Sequence, residues 1–258
     1  MGDHETYSRV KSFVVIPARL ASTRLPRKML LSETGKPLIQ HTYEAASRAT
    51  CPSGVIIASD HEDIASAVRS FGGQVQMTDP DARSGTDRVA EIARQMPEID
   101  IFVNVQGDEP EIRGEAIDFA IALLATDQSA VMSTLATPIR TKQQLDDPSC
   151  VKVVFDGDRR ALYFSRSPIP HAREWDETLL EANPPHFFQH VGLYAYRRDF
   201  LLQLAALPQS DLEQLEKLEQ LRVLHAGYRI LVGVIDEPTL GIDTPADYNA
   251  FVRRIRNC

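Results

Sequence analysis

The reading of this chain turns on Phe13-Val14-Val15-Ile16-Pro17-Ala18-Arg19-Leu20-Ala21-Ser22-Thr23-Arg24-Leu25-Pro26-Arg27-Lys28. Its first four residues are aromatic or β-branched, the composition of a buried strand. A loop of small and turn-forming residues follows, with cations at Arg19, Arg24 and Lys28. Open α/β sheets bind their ligands beyond the carboxyl ends of their strands, so a cationic loop in that place suits a polyphosphate. Small side chains at Ala18, Ala21 and Ser22 let backbone N–H groups approach an anion, while Arg offers a forked donor and Lys a point charge. The competing reading is a solvated basic loop. No G-x-G-x-x-G follows the strand, which argues against a dinucleotide-binding oxidoreductase.

Outward from this loop, strand-like and helix-like segments alternate, as in an α/β fold with a mainly parallel sheet. The pattern predicts helices over 38–49, 60–71 with Asp60 as cap, and 86–96, and strands over 54–59, near Val75 and over 101–105. Beyond Val131 strands outnumber helices, with expected strands at 131–136, 151–155, 161–164 and 186–196. Pro138, Pro148, Pro168, Pro170, Pro184 and Pro185 punctuate this part. We therefore expect one domain over 1–258, with 138–198 as a loop-rich subregion packed on the sheet. Ser210 or Asp211 opens a predicted helix whose Leu212, Leu215, Leu218 and Leu221 form a core stripe, with Glu213, Glu216 and Lys217 toward water. A strand over 230–235 and a closing helix complete the pattern.

The formal charge of -8 argues against a nucleic-acid partner. No apolar run approaches the roughly 18 residues that span a bilayer, and the polar opening segment lacks a signal-peptide core, so the expected compartment is the cytoplasm. Met1, Gly2 and Thr6 fit a myristoylation pattern by chance, having no second membrane signal beside them. Cys51, Cys150 and Cys258 match no metal spacing and read as free thiols.

Two carboxylates invite chemistry. Asp108 lies just past the apolar run Ile101-Phe102-Val103-Asn104-Val105, where it can face a ligand crevice, and it suits Mg²⁺, which takes one or two carboxylates together with phosphate oxygens and water. Asp243, in Gly241-Ile242-Asp243-Thr244-Pro245, is its natural partner, and a helix cap is the equal alternative for it.

Seven segments in order carry a resemblance: 17–28, 84–88 (Ser-Gly-Thr-Asp-Arg), 104–110 (Asn-Val-Gln-Gly-Asp-Glu-Pro), 163–166, 190–194, 218–222 and 241–245. The chain resembles the 3-deoxy-manno-octulosonate (Kdo) cytidylyltransferases, or CMP-Kdo synthetases, over about residues 13 to 252. That resemblance implies a Rossmann-like nucleotidyltransferase fold and transfer of CMP from CTP to the anomeric hydroxyl of Kdo, for lipopolysaccharide, by a homodimer. It implies that Arg19, Arg24 and Lys28 hold the triphosphate, with Pro17, Ala18, Ser84, Gly85 and Gln106 also at the nucleotide. Asp108 and Asp243 would hold Mg²⁺. Arg24, Gln106, Arg166, His190, Tyr194 and Gln220 would face the sugar acid, the Arg166 guanidinium meeting its carboxylate. His190 is not expected to be a general base. One departure is Arg27, at a position that the family often fills with Gly, where a side chain restricts φ.

Overall fold

The computed structural model describes residues 10–237 and 240–257. Cys258 and the Met1, Gly2 and Thr6 pattern lie outside the described residues. Strand β1 (Ser12–Ala18) is buried along its whole length and pairs in parallel with β2 (Val55–Ser59) and β4 (Ile101–Asn104), while β3 (Val75–Met77) extends the parallel array from β2. Beyond β4 the direction reverses. The long strand β8 (Phe188–Arg197) lies antiparallel to both β4 and β5 (Met132–Pro138), and β9 (Ile230–Val234) then runs parallel to β5. The path is β3-β2-β1-β4-β8-β5-β9, with β6 (Lys152–Phe155) and β7 (Ala161–Ser165) forming a hairpin attached through β8.

Alternation along β1 sends successive side chains to opposite faces of the sheet, so each face gains its own core. Val14 and Ile16 pack with Ile39 and Ala45 of α1 (Leu38–Ala46), Val68 of α2 (Glu62–Ser70) and Ile117 and Leu124 of α4 (Gly114–Thr126). Phe13 and Val15 pack with Val89 and Ala93 of α3 (Gly85–Gln95) and with Phe200 and Leu201 of α6 (Arg198–Leu204). A short α5 (Lys142–Asp146) leads to the hairpin, and α9 (Pro245–Arg256) seals Leu25 and Leu38 under Phe251. The alternating pattern of the first half therefore produces the expected α/β sheet, with antiparallel strands in the second half.

Three local expectations fail. Asp60 does not cap α2; the cap is His61, whose Nδ1 accepts from the Asp63 N–H at 3.1 Å. The carboxylate of Asp60 is instead engaged by two distant groups, described below. The leucine stripe also breaks, because the predicted helix is two, α7 (Asp211–Glu216) and α8 (Gln220–His225), separated at Lys217, which is left-handed at φ 54°. Leu218 and Leu221 are buried, but Leu212 and Leu215 are exposed, Leu215 to 79%. A spacing of three residues advances 300° per step and so walks off any helical face. Finally, Glu213 and Glu216 do not face free water: Glu213 is buried against Arg222 at 2.6 Å, and Glu216 accepts from the Ser165 hydroxyl and the Arg166 N–H.

Candidate active site

The ends of β1 and β4 open into a cavity of about 330 Å³ whose lining includes Pro17, Arg19, Lys28, Arg83, Gln106 and Asp108. The close approach of the two strand ends explains Gly107, since a Cβ there would lie 3.0 Å from the Pro17 carbonyl oxygen. The Gly107 carbonyl accepts from the Thr42 hydroxyl of α1 at 2.9 Å, which fixes the turn that presents Asp108.

Lys28 organises this cavity. Its side chain is largely buried, and Nζ donates to Asp108 Oδ2 at 2.5 Å, to the Ile242 carbonyl at 2.7 Å and to Asp243 Oδ1 at 3.3 Å. All three ammonium protons thus have protein acceptors. Asp108 and Asp243, so distant in sequence, meet at one cation, and the Asp108 carbonyl accepts from the Ile242 N–H at 2.9 Å to close the junction. Asp243 is not the helix cap. That role belongs to Thr244, whose Oγ1 accepts from the Asp247 N–H at 3.2 Å while Asp247 returns the bond, leaving the Asp243 carboxylate to Lys28 and to Arg24 at 3.1 Å.

This pair of carboxylates suits a hard cation. Among the described residues, Asp108 Oδ1 and Asp243 Oδ2 have no protein partner, and no cluster of three or more His, Cys, Asp or Glu forms a closed cage. Two oxygen donors beside a cavity lined by Arg19 and Arg83 suit the way Mg²⁺ binds, through few carboxylates, phosphate oxygens and water.

The loop is braced at several points. Arg19 donates to the Ala82 carbonyl at 3.1 Å, and the Leu20 N–H donates to Asp60 Oδ1 at 3.1 Å. Asp60 Oδ2 meets the Arg88 guanidinium at 3.2 Å, and Arg88, fully buried, also reaches the Thr78 hydroxyl and the Asp79 carbonyl. Burial pushes the Arg88 pKa down, and the Asp60 charge opposes that shift. One buried ion pair therefore fastens the cationic loop to α3. At the start of α3, Ser84 accepts from the Asp87 N–H and Asp87 returns the bond, a reciprocal cap that points the helix N-terminus, favourable for anions, toward the cavity.

Arg27 is left-handed at φ 53° and ψ 30°, the conformation that glycine adopts without strain, and its guanidinium reaches Asp63 at 2.7 Å. The loop thus keeps a glycine-like backbone despite its side chain. We expect Arg27→Gly to leave stability within about 1 kcal/mol, because relief of strain offsets a more flexible unfolded chain and an exposed ion pair. Arg27→Val is expected to cost about 1–3 kcal/mol, a β-branched residue being poorly suited to positive φ. Urea denaturation of both variants checks the contrast.

A second cavity, of about 260 Å³, adjoins the first, and Gly85 and Gln106 line both. Its walls bring together His190, Tyr194 and Gln220, as expected, with Asn104, Tyr196 and Glu219 among their neighbours. His190 lies against Thr134, with Nε2 3.0 Å from the hydroxyl, and burial lowers its pKa to about 3, so the imidazole stays neutral near pH 7. Burial likewise raises Tyr194, which remains a protonated phenol, and raises the Glu219 carboxyl, whose Oε2 accepts from the Thr86 hydroxyl at 3.0 Å.

The structure does not bring every expected residue to these walls. Arg166 Nε donates to the Glu216 carbonyl at 2.7 Å and its NH1 to the Pro148 carbonyl at 3.0 Å, outside the lining of either cavity. Arg24 and Ala18 are also absent from the lining, Arg24 exposed at Asp243 and Ala18 buried within β1. Arg83, Asn104 and Glu219 were missed in the sequence. Asn104 carried a signal, a lone amide in an apolar strand; Arg83 carried none, since exposed arginines are common.

Residues 13–230 match the family described as Cytidylyltransferase. The 3-deoxy-manno-octulosonate cytidylyltransferase of Rhodopirellula baltica is 48% identical over 96% of this chain and all of its own length, and that of Pelobacter propionicus is 50% identical over 94% of this chain and 96% of its own. Among solved structures, CMP:2-keto-3-deoxy-manno-octonic acid synthetase complexed with CTP matches with a TM-score of 0.88 at 41% identity, covering 96% of this chain and 99% of that one. A 4-diphosphocytidyl-2C-methyl-D-erythritol synthase from Anaerococcus prevotii matches in fold alone, with a TM-score of 0.61 at 11% identity, covering 98% of this chain and 99% of that one.

Proposed function

The chain belongs to the 3-deoxy-manno-octulosonate cytidylyltransferase family, and from that premise we propose how its residues transfer CMP from CTP to the anomeric hydroxyl of Kdo with release of pyrophosphate. The observation that carries the proposal is the pair of adjoining cavities, which share Gly85 and Gln106, with Asp108 on the lining of the outer one and Asp243, outside the lining, joined to it through Lys28. The outer cavity takes the triphosphate, held by Arg19, Arg83 and the N-terminus of α3, and the inner one takes the sugar acid.

Asp108 and Asp243 are the residues that would hold Mg²⁺. When bound, the ion supplies charge neutralisation at the phosphates and Lewis acidity toward the attacking oxygen. Lys28 donates to both carboxylates and holds them together. Negative charge grows on the α-phosphate and the departing pyrophosphate in the transition state, and the cations already placed there stabilise it without rearrangement. The neutral His190 orients a hydroxyl rather than removing its proton, because a group with so low a pKa is a feeble base near pH 7.

The enzyme works in the cytoplasm as a homodimer, with residues 138–198 contributing to the contact, and supplies the activated sugar for lipopolysaccharide. Among the described residues no helix is long and apolar enough to cross a membrane. The direct test measures pyrophosphate release across a panel of nucleotides with Kdo, 8-amino-Kdo and a sialic acid, with and without Mg²⁺. Turnover is expected with CTP, Kdo and Mg²⁺ together. Silence with that combination, beside an active control enzyme, would refute the reading.

A further inference from the structure

Asn104 ends β4, in register with Val15 of β1 and Tyr194 of β8, and is only 2% exposed. Its side chain stands beside Tyr196 on the cavity wall, and its Oδ1 is a buried acceptor with no hydrogen-bond partner. Gln220, at the start of α8, is 4% exposed and has the opposite vacancy, an Nε2 donor with no partner. Both residues line the inner cavity. Buried polar groups are nearly always paired in folded proteins, so two unpaired ones on the walls of the same cavity point to a ligand that completes them.

The chemistry of the pair narrows that ligand. An acceptor oxygen repels a carboxylate and is indifferent to a methylene, but takes a hydroxyl proton; an amide N–H₂ then donates to a hydroxyl oxygen. His190 and Tyr194, neutral near pH 7, line the same cavity, with Lys217 and Glu219 also on its walls. We propose that Asn104 is a specificity-determining residue for the acceptor, its Oδ1 receiving the proton of a hydroxyl on the polyol part of the sugar acid while Gln220 donates to the same hydroxyl region. The carboxylate of the acceptor lies away from Asn104. This inference rests on assigning the inner cavity to the sugar.

The test compares wild-type enzyme with Asn104→Leu, which keeps the approximate size and removes the acceptor, and with Asn104→Ser, which stays polar but draws the oxygen back from the cavity. Both are expected to raise KM for Kdo about 10- to 100-fold while changing kcat less and leaving CTP binding, measured by calorimetry, within about twofold. Monodeoxy Kdo analogues supply the second reading. Wild-type enzyme loses most of its kcat/KM on one particular analogue, and the variants fail to distinguish that analogue from Kdo. An unchanged Kdo KM in a variant of normal melting temperature overturns the assignment, as does equal turnover of every monodeoxy analogue by wild-type enzyme. If wild-type enzyme itself releases no pyrophosphate from CTP and Kdo, the underlying reading fails instead, so the two failures are distinguishable.

Discussion

Asp108→Asn and Asp243→Asn are each expected to lower CMP transfer by about 10²- to 10⁴-fold, the range corresponding to several kcal/mol of lost transition-state stabilisation. Each variant keeps a side chain of the same shape but loses a full negative charge at the place where two strand ends and a loop converge. Lys28 retains the Ile242 carbonyl and the remaining carboxylate, so the fold should survive. The expected signature is therefore a cooperative denaturation curve near that of the wild type together with a weakened apparent affinity for Mg²⁺ in the presence of CTP. Urea denaturation and a Mg²⁺ titration measure both, and single-turnover rates measure the loss of transfer. A near-normal rate in either variant would remove that carboxylate from the proposed metal site.

The second large effect is on stability. Arg88→Met is expected to cost about 3–5 kcal/mol, the usual consequence of removing one partner from a buried ion pair and leaving the other charge uncompensated. Asp60 keeps only the Leu20 N–H, and the Thr78 hydroxyl and Asp79 carbonyl lose their donor. The double variant Arg88→Met with Asp60→Leu, which removes both charges, is expected to recover part of the loss. Urea midpoints of the two single variants and the double variant form the required cycle. If Arg88→Met unfolds at the wild-type midpoint, the pair is not what secures the loop to α3.

How much of this was visible in the residues depended on whether the signal was local. The apolar run at 13–16 and the small, cationic loop after it are both local, and they located the first strand and the outer cavity. Asp108 was legible because a carboxylate just past a buried strand has few other places to go. Asp60 was not. An Asp after a strand and before a helix satisfies the rule for a cap, and only the arrival of Arg88 from a different helix shows that its carboxylate serves another purpose. Lys28 was assigned to phosphate from its charge, whereas its protons are taken by Asp108, Asp243 and Ile242, a fact set entirely by contacts far along the chain. The leucines at 212, 215, 218 and 221 misled for a geometric reason, a left-handed Lys217 that ends one short helix and lets the next begin on a new axis.

The three reciprocal caps, Ser84 with Asp87, Ser210 with Glu213 and Thr244 with Asp247, have a bearing on binding thermodynamics. The first opens the helix at the shared wall, the second opens the segment that runs on to Glu219 and Gln220, and the third stands beside Asp243. Each pins two side chains and a turn of backbone before any substrate arrives. The conformational entropy of ordering these walls is thus met during folding, and less of it is subtracted from the affinity for nucleotide and sugar. By contrast, the segment from Arg19 to Arg24 has no helix to stiffen it and hangs from single bonds to Asp60, Ala82 and Asp243. Whatever ordering accompanies nucleotide binding is concentrated in that arm, set against walls that are already rigid.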